Sequence, residues 1–92
     1  MDWKSDAVVQ RRSQIAWRTF GADGVVLNLE SEMMSGLNES AALVWEWLGS
    51  PRTVGHLMNL FASEFDLSPQ EAEADLHHFL SELAERGLVA WS

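Results

Sequence analysis

The run Ser68-Pro69-Gln70-Glu71 constrains the fold more than any other feature of this sequence. It is a capping box: the Ser68 hydroxyl can accept from the backbone N–H of Glu71, whose carboxylate can reach back to the Ser68 N–H. Pro69, at the first helical position, gives up no bond that a helix would have made. A helix therefore starts here. Glu71, Glu73 and Asp75 lie near its positive end, Arg86 near its negative end, and Gly87 fits the left-handed position that stops it. Leu76, Phe79, Leu80 and Leu83 form its apolar stripe.

Two shorter helices precede it. Asn38 is a good N-cap for the first, with Leu43, Val44, Trp47 and Leu48 on one side and Gly49-Ser50-Pro51 as the stop. Thr53 caps the second, where Val54, Leu57, Met58, Phe61 and Phe65 follow the spacing of an amphipathic helix. Upstream the pattern changes to alternation. From Gln14 to Phe20, Ile15 and Trp17 share a face opposite Arg18 and Phe20, and Gly21-Ala22-Asp23-Gly24 supplies a turn. Val25, Leu27 and Leu29 then predict the apolar inner face of a second strand, and Met33 to Leu37 form a third. The expectation is an α+β, winged-helix-like domain over residues 14–92, with a three-stranded antiparallel sheet followed by three helices. Residues 1–13, polar apart from Trp3 and Val8-Val9, read as a loosely held N-terminal arm.

Composition excludes several functions. Fourteen Asp and Glu against six Lys and Arg give a net charge of −8, which repels nucleic acid. The third helix makes that exclusion local: residues 70–85 carry five acids and no Lys or Arg, so its DNA-reading chemistry is missing. No cysteine is present, which removes disulfides, thiolate metal sites and a thiol nucleophile. No signal peptide or membrane-spanning run is visible, so the default location is cytoplasmic. No catalytic motif stands out, and His77 and His78 point about 100° apart on a helix, a poor start for a metal site. Neither enzyme activity, cofactor nor metal is expected.

Binding is better supported. The Met33 to Leu37 strand is expected at a sheet edge, where unpaired backbone groups are a template for an extended peptide. A groove between it and the third helix would place Met33, Met34, Asp75, Phe79 and Glu82 around that peptide, and methionine moulds to varied apolar anchors. If the Ser35 N–H faces outward, proline there would block the ladder. Each residue also has a plain reading: Met33 and Met34 as one core and one exposed strand position, Asp75 as a helix-dipole partner, Phe79 as core.

Three segments carry a family likeness: Asp23-Gly24-Val25-Val26-Leu27; Gly36-Leu37-Asn38-Glu39-Ser40-Ala41-Ala42-Leu43-Val44-Trp45; and Ala72-Glu73-Ala74-Asp75-Leu76 with Phe79-Leu80 and Leu83 to Val89. Over about residues 14–89 the sequence resembles the PqqD-like family of stand-alone recognition elements for ribosomally made precursor peptides. The resemblance implies a leader peptide added as a strand beside the third strand and against the third helix. Its contacts would come from Glu32, Met33, Met34, Ser35, Gly36, Leu37, Asp75, Phe79 and Glu82. It also implies delivery to a maturation enzyme or leader peptidase, in lasso peptide, quinone-cofactor or radical-enzyme pathways. Members often have Gly where Glu32 stands and an aromatic near Met34, so the turn and the anchoring pocket differ here.

The sequence thus points to a non-catalytic peptide chaperone. The alternative is a winged-helix regulatory or assembly subunit that binds a protein partner. Five tryptophans bear on the alternative, because Trp45 and Trp47 lie about 200° apart on one helix and the outer one would cover a partner enzyme or, in a homodimer, a second copy.

Overall fold

Alternation and capping translate directly into elements in the computed structural model, which describes residues 3–92. In chain order these are β1 (Val8–Arg11), β2 (Ile15–Phe20), β3 (Asp23–Asn28), β4 (Met33–Leu37), α1 (Glu39–Trp47), β5 (Arg52–Thr53), α2 (Val54–Phe65), α3 (Pro69–Glu85) and β6 (Val89–Trp91). The expected meander is present as an antiparallel sheet in the order β2-β3-β4, and the three helices follow it. All three predicted caps form. Asn38 Oδ1 accepts from Ala41 N–H at 2.9 Å, Thr53 Oγ1 from His56 N–H at 3.1 Å, and Ser68 and Glu71 complete the reciprocal box at 3.2 and 3.4 Å. Each cap satisfies a helix-end N–H and stabilises its helix by about 1 kcal/mol. Gly87 has φ of 69°, the left-handed terminator anticipated for α3.

A second sheet, in the order β5-β1-β6, has no counterpart in the sequence reading. The arm expected to be loose over residues 1–13 runs instead, from Val8 to Arg11, as the central strand of that sheet, and Val9 is fully buried; Met1 and Asp2 lie outside the described residues. Trp3 is also buried, its indole N–H donating to Ser81 Oγ at 2.9 Å and its ring meeting that of Trp91 edge-on at 5.2 Å. Sequence polarity missed this because one Trp and one Val, far apart in a polar stretch, supply the anchoring. A buried Trp removes enough apolar area to outweigh the ordering of several residues.

The faces of β3 are the reverse of the expectation. Val26 is fully buried and Asn28 is 8% exposed, whereas Val25 and Leu27 are half-buried on the outer face and Leu29 is exposed. Counting apolar residues favoured 25, 27 and 29, and the polar residue wins the inside because all its bonding groups are used. Asn28 Nδ2 donates to the carbonyls of Arg86 (3.2 Å) and Gly87 (3.3 Å), and Oδ1 accepts from the N–H groups of Glu30 (3.0 Å) and Ser31 (3.3 Å). A buried amide so satisfied costs little, and one without partners would cost about 1–3 kcal/mol.

The core lies between the sheets and the helices, around Trp45, Leu48, Leu57, Phe61, Leu76 and Leu80. In α1 the buried residues are Ala41, Ala42, Val44 and Trp45, so the inner face is centred on Trp45; Leu43 and Trp47 are half-buried. Arg11 locks β1 to this region. Its guanidinium lies 4.5 Å from the Trp17 ring centre and 4.6 Å from that of Trp45, and its Nε donates to the Trp45 carbonyl at 3.0 Å. Burial lowers the Arg11 pKa from its ordinary value, with Glu46 opposing the shift.

Candidate peptide-binding site

Strand β4 is the last strand of its sheet, so half of its backbone groups have no ladder partner. The register identifies which half. Leu29 N–H donates to the Gln14 carbonyl at 2.9 Å, and bonding and non-bonding pairs alternate along an antiparallel ladder. The odd residues of β3 therefore bond to β2, and Gly24, Val26 and Asn28 bond to β4. Their partners there are Leu37, Ser35 and Met33. Met34 and Gly36 consequently turn their N–H and C=O groups away from the sheet. Ser35 does not; its N–H faces β3, and proline at Ser35 would break the sheet itself, contrary to the condition under which it was to test the edge.

Beside this edge runs a shallow cleft of about 90 Å³. Gly36, Leu37 and Asn38 form one wall, and Phe79, Glu82 and Arg86 of α3 form the other. The apolar floor is built from Leu37 and Leu83, both buried, with Phe79 half-buried above them. Phe79 is tied to the core through Phe61, whose ring centre is 6.0 Å away, so it is both core and rim. Glu82 lies 3.3 Å from His78 Nε2, an ion pair when that imidazole is protonated.

Of the residues anticipated from sequence, Gly36, Leu37, Phe79 and Glu82 meet in this cleft. Met33 and Met34 are both exposed, on opposite faces of β4, and Ser35 is half-buried on the inner face. Glu32 occupies the β3–β4 turn with φ of 62°, in the region glycine adopts freely. Asp75 is exposed one turn before Phe79 on the same helical stripe, outside the cleft lining. Arg86 was missed as a site residue. It stands seven positions after Phe79, on the same helical face, and was assigned only to the helix dipole.

Larger depressions exist. One of about 590 Å³ lies at Ser5, Asp6, Thr53 and His56, away from β4. The strand that reaches it, β5, is only two residues long, too short an edge to template an extended peptide. Among the described residues, no group of three or more His, Asp or Glu is placed to hold a metal, and no helix is long and apolar enough to cross a membrane.

Three solved structures share this fold. TbiB1 in complex with the TbiA(beta) leader peptide superposes with a TM-score of 0.79 at 21% identity, covering 87% of this chain and 93% of that one. A lasso peptide synthetase B1 complexed with the leader peptide gives 0.74 at 24% identity, covering 89% and 96%. The PqqD truncation of Methylobacterium extorquens PqqCD, a functional and stand-alone RiPP recognition element, gives 0.72 at 21% identity, covering 90% and 88%. Comparison with curated proteins by sequence finds no match. The family profile of coenzyme PQQ synthesis protein D (PqqD) matches residues 23–89, from β3 through to β6. This chain belongs to the PqqD family.

Proposed function

We propose that this protein binds the leader segment of a ribosomally synthesised precursor peptide as an added strand on β4 and presents it to a maturation enzyme or leader peptidase. The carrying observation is the pairing of outward-facing backbone groups at Met34 and Gly36 with the cleft between Leu37 and Phe79. Backbone bonds at the edge supply affinity for almost any extended sequence, and the cleft supplies choice. An apolar leader side chain enters between Leu37, Leu83 and Phe79. Asp75 and Glu82 make the approach along α3 acidic, while Arg86 stands at the other end, beside the β3–β4 turn that carries Glu32, so the fitting leader carries a basic residue toward the Asp75 side. Met33 and Ser35 complete the inner wall of β4.

Family membership and the leader complexes of the similar structures support this reading. The role is non-catalytic, and it needs no cofactor. Its setting is the cytoplasm, where precursors are made, in a lasso peptide or quinone-cofactor type of pathway. The test is an NMR titration of labelled protein with synthetic leaders from the short reading frames beside its gene. Saturable shifts at residues 32–37 and 75–86 support the proposal; the absence of shifts with every candidate refutes it.

A further inference from the structure

The outer face of the β2-β3-β4 sheet is largely apolar and uncovered among the described residues. Phe20 is 58% and Met34 67% exposed, and with Val25, Leu27, Ala16 and Trp17 they line a depression of about 430 Å³ whose one charged group is Arg18, on β2 across Val25. An exposed apolar face on so small a domain marks a binding surface. The pleat decides what reaches it. A strand added to β4 must place alternate side chains on opposite faces of the sheet, so half of them enter the Leu37 and Phe79 cleft and the other half lie on this outer face.

Gly36 fixes where. It sits on the outer-facing parity of β4, its backbone bonds point to the open edge, and its cross-strand neighbour is Val25. A Cβ built at Gly36 meets nothing within 4 Å. The position is therefore a notch at the rim of the sheet, with Met34 on one side and Val25 beyond. A large flat side chain on the incoming strand can cross the bare glycine and cover both, the arrangement by which a cross-strand aromatic compensates for a glycine near a sheet edge.

We propose that the leader is read on both faces of the sheet, and that its outward reading site is the Gly36 notch, which takes a large apolar and preferably aromatic leader side chain against Met34 and Val25. This rests on strand addition at β4 and adds to it a second specificity determinant, of opposite parity to the residue held by Phe79. The leader therefore carries two apolar anchors separated by an odd number of positions, one per face.

The test compares Gly36→Glu, Gly36→Lys and Phe79→Ala by calorimetric titration with synthetic leader segments of the precursor reading frames beside the gene. Preserved NMR dispersion serves as the folding control. Both Gly36 variants should weaken binding about tenfold, whatever the sign of the added charge, because each replaces the apolar notch with a hydrated group. Alanine at one leader position should erase the penalty of the Gly36 variants without erasing that of Phe79→Ala. Two results overturn the inference while leaving strand addition intact: Gly36 variants that bind as well as the parent while Phe79→Ala binds less tightly, or Gly36→Glu and Gly36→Lys shifting affinity in opposite directions. A parent protein that binds no leader overturns both.

Discussion

The side-chain amide of Asn28 bridges to the carbonyl of Gly87 at 3.3 Å, joining the end of β3 to the stop of α3. The same amide holds the Glu30 and Ser31 N–H groups that begin the turn into β4. One residue thus sets the distance between the two walls of the cleft at its Arg86 end. Gly87 is required twice over: its φ is 69°, and a Cβ there would lie 3.0 Å from Asn28 Nδ2. Asn28→Ala should lower stability by about 1 kcal/mol, since it removes four part-buried bonds to the Arg86 and Gly87 carbonyls and the Glu30 and Ser31 N–H groups, which water can partly replace. It should also weaken leader binding beyond that loss. Urea midpoints and titration of the folded fraction check the two effects separately.

Proline substitutions distinguish the two backbone parities of β4. Met34→Pro removes an N–H that faces the open edge, a position where sheets tolerate proline, so folding should survive while leader binding is lost. Ser35→Pro removes an N–H directed at β3 and should cost about 3 kcal/mol of stability, as for proline within regular structure. Circular dichroism melts and titration of both variants give the comparison.

Glu32 holds φ of 62° in the β3–β4 turn, a region that glycine adopts freely. The left-handed conformation costs a side-chain-bearing residue roughly 1–2 kcal/mol, and glycine loses roughly 0.5–1 kcal/mol through greater freedom in the unfolded chain. Glu32→Gly should therefore stabilise the protein by about 0.5 kcal/mol. The rise in denaturation midpoint should come without a change in the slope of the urea transition.

Arg11 bridges Trp17 and Trp45 with a planar cation and bonds the Trp45 carbonyl. Lysine keeps the charge but neither stacks nor forks, so Arg11→Lys should cost about 1–2 kcal/mol. Trp17, 51% exposed and held in place by this contact, should become more mobile. Calorimetric melting and tryptophan fluorescence anisotropy measure the change.

Local chemistry made most of the fold legible. The Ser68 box, Thr53, Asn38 and Gly87 each act within one helical turn, and all occur where the sequence placed them. What escaped depends on long-range pairing. Val9 is a strand residue because Trp91 and Arg52 come to lie opposite it, and those partners are 82 and 43 positions away. The face of β3 escaped because burial of Asn28 is decided by the stop that follows α3, where Arg86 and Gly87 supply two carbonyls to an amide that alternation alone assigns to solvent. In the candidate site, Leu37 and Phe79 were readable as apolar residues on an edge and a helix. The outward parity of Met34 and Gly36 was not, since it is set by the β2–β3 register rather than by any residue of β4.

Amide hydrogen exchange at three consecutive residues tests strand addition most directly. In the free protein Met34 and Gly36, whose N–H groups point outward, should exchange fast while Ser35, bonded to β3, is protected. Saturating leader should slow Met34 and Gly36 at least about tenfold and leave Ser35 nearly unchanged. Leader binding that leaves the Met34 and Gly36 amides exchanging as before would contradict addition of the peptide to β4.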